Sequence, residues 1–157
     1  MIRRLNHAVL WVRDAQASAD FYTTVLGFEA VANMGGQAIF LRADGSTNDH
    51  DLGLFSVGDH PKPAAHSPGL YHLAWQVNTI EELAALRTKL ITAGSLVGES
   101  DHGVSKSLYA HDPDGIEFEI MWAVPRANWP TTSPGVERLD LEAELARWSA
   151  VETADQY

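Results

Sequence analysis

The sequence predicts an α+β protein in which two tandem βαβββ modules form a curled mixed sheet, followed by a C-terminal helix. Three observations predict it. A strand, a helix and three further strands can be read twice along the chain, at a period of about 65 residues. Gly27 and Gly94 each close the helix of their module. His7 and His72 each precede a valine, Val12 and Val77, by the same offset in the first strand of their module.

The elements follow in order. Residues 4–12 (RLNHAVLWV) combine β-branched and aromatic residues and read as a strand. Asp14 is placed to cap a helix over 15–25, with Ala19, Phe21, Tyr22, Val25 and Leu26 on its apolar side, and Gly27 stops it. Strands follow over 28–33, 37–43 and 51–57, separated by the turn signals Gly35-Gly36 and Asp44-Gly45. A connector over 58–68 carries Pro61, Pro63 and Pro68. The pattern then restarts with a strand over 70–77 (LYHLAWQV). Thr79 caps a helix over 80–92 whose apolar face holds Leu83, Leu86, Leu90 and Ile91. Strands over 95–99, 105–110 and 116–122 complete the second module, the last entered through the turn Asp112-Pro113-Asp114-Gly115. The expected organisation is one domain over 1–135, with modules 1–58 and 69–122, and a C-terminal helix and tail over 136–157. The helix spans 139–149 and packs through Leu141, Leu145 and Trp148.

Composition narrows the chemistry. The chain has 157 residues, no cysteine, seven histidines and a formal net charge of −10. Disulfides, thiolate metal sites and cysteine nucleophiles are excluded, and the lack of cysteine fits a cytoplasmic protein. A transition-metal site would be built from His, Asp and Glu. The acidic balance disfavours nucleic acid as a partner. No apolar run reaches the ~18 residues of a membrane span, so no membrane partner is expected. The N-terminal residues read as the opening of a strand rather than a signal peptide.

Alternation places His7 with Val9 and Trp11, His72 with Ala74 and Gln76, and Glu119 with Glu117 and Met121. A lone strand histidine is ordinarily a core or surface residue. Two at equivalent repeat positions, with a carboxylate on the closing strand, instead match the two-His, one-carboxylate facial triad of non-haem Fe(II) oxygenases, which leaves coordination positions open.

Four segments carry a family resemblance: HAVLWV at 7–12, FYTTVLGF at 21–28, YHLA at 71–74 and DPDGIEFE at 112–119. Together they resemble the glyoxalase/bleomycin-resistance/extradiol-dioxygenase (vicinal-oxygen-chelate) superfamily over roughly residues 3–122, and most closely its single-domain catechol 2,3-dioxygenase-like members. The resemblance implies a sheet curled around a metal and selects Glu119 over Glu117 as the third ligand beside His7 and His72. It implies Fe(II), with Mn(II) suited to the same ligands. Glyoxalase-like members add a fourth ligand near the end of the first module, where this chain has Gly53 and Leu54. The extradiol branch therefore fits better.

In that branch His50 matches the acid/base histidine, Tyr109 the tyrosine that contacts the catecholate, and His102 a further site histidine. His60, His66 and His111 read as surface residues. Trp11, Trp75 and Met121 are candidates for the pocket wall, with Trp75 favoured as core. The implied partners are a small aromatic diol and O2, and a homodimer or higher homo-oligomer is expected by analogy. Two other readings stay open: a glyoxalase- or epimerase-type metal-dependent lyase or isomerase, and a metal-free small-molecule-binding resistance protein.

Overall fold

The structure is a computed structural model that describes all residues except 63, 65, 66, 133, 134 and 154–157, so the expectations for Pro63 and His66 lie outside the described residues. The chain divides into two compact units. Unit 1 comprises Met1–Gly69 and Asp112–Gly115, and unit 2 comprises Leu70–His111 and Ile116–Tyr157.

Unit 1 runs β1 (Ala8–Val12), α1 (Ala15–Leu26), β2 (Glu29–Asn33), β3 (Ala38–Arg42) and β4 (Leu52–Ser56), with sheet order β1-β4-β3-β2. β1 and β4 are parallel and the other pairs antiparallel. Unit 2 repeats this with β5 (Leu73–Val77), α2 (Ile80–Thr92), β6 (Leu96–Asp101), β7 (Ser105–His111) and β8 (Glu117–Ala123), in the order β5-β8-β7-β6. A short 3-10 turn (Arg126–Asn128) and α3 (Leu141–Trp148) follow. The predicted α+β class and the tandem βαβββ pattern are both present. Among the described residues no helix is long and apolar enough to cross a membrane.

The helices form where their ends are satisfied. Asp14 accepts from the Gln16 and Ala17 amides, and Gly27, at φ 81°, adopts the left-handed conformation that ends α1. Thr79 and Glu82 form a reciprocal capping box on α2. α1 buries Ala15, Ser18, Ala19 and Tyr22 in a core that includes Leu10, Val12, Ile39, Leu41, Leu52 and Leu54. The core of unit 2 contains Ile80, Leu83, Leu90, Leu108, Phe118, Ile120 and Trp122. In each unit the helix-covered sheet face is buried, and on β8 the alternate residues Glu117, Glu119 and Met121 are only half-buried.

Several boundaries differ from expectation by a few residues. His7 and His72 stand one residue ahead of their strands, because the ladders begin at the pairs Ala8↔Leu52 and Leu73↔Phe118. The last helix starts at Leu141 rather than 139, because Asp140 caps it by accepting from the Ala143 amide.

The Asp112–Gly115 turn is held within unit 1. Gly115 (φ 71°) donates its amide to the Asp112 carbonyl. Asp114 accepts from Arg13 Nε at 2.6 Å, from the Arg13 amide at 3.1 Å and from Ser18 Oγ at 3.4 Å. Tyr22 donates its hydroxyl to Asp112 at 3.3 Å, and burial, reinforced by the Asp112 charge, raises its pKa well above the ordinary phenol value. Asp114→Ala strands the Ser18 hydroxyl and removes a charged anchor from the Arg13 amide. It is expected to cost about 2 kcal/mol of stability, measured by urea denaturation.

Candidate metal centre

In unit 2 the structure brings four of the predicted residues together. His72, just ahead of β5, points Nε2 at Glu119 Oε2, 3.1 Å away, from the adjacent parallel strand β8. Tyr109 on β7 is the register partner of Glu119, and its ring lies 5.8 Å from that of His72. His102 Nε2 and the Tyr109 hydroxyl share a hydrogen bond of 2.8 Å, its direction set by the imidazole tautomer. Burial raises the Tyr109 pKa, and the neighbouring Glu119 charge raises it further.

In unit 1 the rings of His7 and His50 lie 4.5 Å apart. His50 donates Nδ1–H to Asp49 at 2.8 Å, which holds the carboxyl of Asp49 below its usual value and leaves Nε2 as the free imidazole nitrogen. His7 donates Nδ1–H to Asn6 Oδ1 at 2.8 Å. The Asn6 amide is oriented by its own donation to Asn48 Oδ1, so Nδ1 of His7 is the nitrogen committed to Asn6 and Nε2 is the one available to an ion. Asp51 fixes the loop that presents His50: it accepts from the Ala43 amide, Ser46 Oγ and Asn48 Nδ2. From His50 an aromatic series continues through Phe40, Phe55 and Trp11, with ring centroids 5.0, 5.8 and 5.8 Å apart. Trp11 is 70% exposed on this face.

The donor chemistry fits a divalent ion. Two ligands at right angles on an octahedral ion are about 3.0 Å apart for bonds near 2.1 Å, which is the spacing seen for His72 Nε2 and Glu119 Oε2. The other nitrogen of His72, Nδ1, is buried without a hydrogen-bond partner among the described residues; the carboxylate of Glu117 stands 3.6 Å from it. At that distance Glu117 makes no hydrogen bond to the ring, and only its charge acts on Nδ1. Among the described residues no three His, Asp or Glu side chains are already gathered as a metal-holding group.

At the position of a fourth ligand, Leu54 is wholly buried in the core and Gly53 lies under Val9 and Phe40, so neither supplies a donor atom. His60 and His111 are exposed, as expected. Trp75 and Met121 are half-buried. The sequence does not single out Asn6, Asp49 and Asn48 as orienting partners. The adjacent pairs Asn6-His7 and Asp49-His50 were the available signal.

A family model described as Glyoxalase/Bleomycin resistance protein/Dioxygenase superfamily matches residues 4–120. The chain belongs to this superfamily. It is 33% identical over 135 residues to the catechol-2,3-dioxygenase of Bacillus subtilis (strain 168), covering 83% of this chain and 45% of that protein. It thus spans under half the length of that relative. Among solved structures, a glyoxalase/dioxygenase from Nostoc punctiforme superposes with a TM-score of 0.67 at 22% identity, covering 78% of this superfamily member and 92% of that chain. A genomically encoded fosfomycin resistance protein from Listeria monocytogenes superposes at 0.61 and 21% identity, covering 79% and 96%. These two likenesses concern the fold.

Proposed function

We propose that this member of the superfamily is a cytoplasmic extradiol dioxygenase, with 1–135 as its catalytic domain. It would open the ring of a catechol-type diol with O2 at an Fe(II) centre (Mn(II) being the alternative) held by His7, His72 and Glu119. The observation that carries the reading is the His72–Glu119 pair at ligand spacing, with the Tyr109 hydroxyl beside it, hydrogen-bonded to His102. The 33% identity to a catechol-2,3-dioxygenase supports the same branch. His7 is assigned as third ligand from its repeat-equivalent position and its free Nε2.

A divalent ion held by His7, His72 and Glu119 would supply Lewis-acid and redox chemistry for a vicinal diol and O2. His50, oriented by Asp49, takes a diol proton on Nε2 and returns it later in the reaction. Tyr109 donates its hydroxyl to a diol oxygen, and His102 holds that hydroxyl in place. The Phe40, Phe55 and Trp11 face offers ring-stacking surface to an aromatic substrate. Both atoms of O2 enter the product, a muconic semialdehyde-type acid. The acting form is proposed as a homodimer or higher homo-oligomer.

The test is anaerobic purification followed by metal analysis and O2 uptake with catechol and substituted catechols. The expected result is one Fe or Mn per chain, oxygen consumption and a yellow ring-opened product. A stoichiometric metal with no oxygen uptake on any diol would overturn the dioxygenase reading in favour of a Lewis-acid lyase or isomerase.

A further inference from the structure

The loop that presents His102 is tied to a part of the chain outside the family-matched residues 4–120. Asp101, immediately before His102, exchanges two backbone hydrogen bonds of 2.9 Å with Glu137. Its side chain accepts from the Gly103 amide at 2.7 Å and from Lys106 Nζ at 2.5 Å. Lys106 is buried, its side chain only 5% exposed, and it also meets Glu144 of α3 at 3.3 Å. Glu144 in turn accepts from the Trp148 indole at 2.7 Å, and Trp148 packs on Trp122 of β8 with ring centroids 5.8 Å apart.

The C-terminal segment therefore grips the β6–β7 turn twice, once through the backbone at Glu137 and once through Glu144, buried Lys106 and Asp101. Within that turn the His102 amide donates to the Ser105 carbonyl, and the His102 ring reaches Tyr109 at 2.8 Å.

We propose that Glu144 and Lys106 are positioning residues: α3 acts through them to set the His102–Tyr109 pair for the reaction. The physical reason is the stiffness of a multiply bonded, part-buried ion chain compared with a free hairpin turn. Such a turn would otherwise leave the imidazole to sample several orientations, and misplacement by about 1 Å is costly to catalysis. The inference rests on the dioxygenase reading for its catalytic consequence, but not for its structural one.

The test uses the full-length chain carrying Glu144→Ala or Glu144→Gln, with two readouts. The first is the side-chain proton–nitrogen correlation of the His102 ring in metal-free protein, assigned by its loss in His102→Gln. The second is steady-state O2 uptake on the iron-loaded protein. Glu144→Ala is expected to shift or broaden the His102 signal and to lower kcat about tenfold with metal content unchanged. Glu144→Gln, whose amide oxygen still accepts from Lys106 and Trp148, is expected to restore most of both. A lower melting temperature with the His102 signal and kcat unaltered would reduce α3 to structural support and overturn the proposal. If the wild type consumes no O2 with any diol, the dioxygenase reading fails, and the His102 signal still decides whether α3 positions this pair.

Discussion

Replacing His50 with alanine is expected to leave the metal in place and remove most of the turnover. The ring of His50 stands 4.5 Å from that of His7, so distance alone does not separate a ligand from an acid/base group. Its bonding argues for a proton carrier. Nδ1–H is committed to Asp49, and the loop that presents it is braced by Asp51 and Asn48. A braced imidazole with one free nitrogen is suited to taking and returning a proton, which contributes about 10²–10⁴ in rate. His50→Ala should therefore lower kcat by that order, while metal analysis still finds one ion per chain. Glu119→Ala and His72→Ala should behave in the opposite way and lose the ion itself, since each removes half of the 3.1 Å donor pair. Metal analysis and an oxygen electrode on the three variants separate the roles. Loss of metal in His50→Ala would make it a ligand instead of an acid/base group.

The parts of this molecule that could be read from its sequence are those fixed over short distances along the chain. Asp14 and Gly27 bracket α1, and Thr79 with Glu82 starts α2, because capping bonds reach only a few residues. The equivalence of His7 and His72 was legible for a related reason: side-chain alternation and a repeated module give both the same offset. Their exact relation to the strands was not, since the first rung of each ladder depends on β4 and β8, which come much later in the chain.

Contacts made across long separations were hidden. Asp114 reads as a turn residue, and its role as the anion that seats Arg13 involves a partner 101 positions away. Tyr22 looks like an ordinary apolar helix position, while its hydroxyl is committed to Asp112, 90 positions away. His50 reads as a polar loop residue, and only the fold supplies Phe40 and His7 as its neighbours. Lys106 is the clearest case. A lysine in a strand reads as solvated, and no local pattern announces two carboxylates waiting on its buried side.

That lysine carries the second large effect. Lys106→Met preserves the length and the buried stem but removes the cation between Asp101 and Glu144, whose side chains are 22% and 13% exposed. Taking the cation from a part-buried ion group leaves charge that water only partly compensates, so the variant should lose about 2 kcal/mol at neutral pH. The pH dependence should also change direction. In the wild type, burial pushes the Asp101 carboxyl up, but bonding to Lys106 and to the Gly103 amide outweighs it and holds the pKa below the ordinary 3.8. The stability from that ionised group is present above the ordinary pKa and is lost as pH falls through the lowered value. Without the lysine, desolvation and carboxylate–carboxylate repulsion act against ionisation, so the folded state binds protons more readily than the unfolded chain. Mild acid should then stabilise Lys106→Met relative to its own neutral state over a range where the wild type gains nothing. Urea denaturation of both proteins at neutral and mildly acidic pH measures this. A variant that simply weakens in parallel with the wild type as pH falls would show that the two carboxylates are solvated enough to do without their cation.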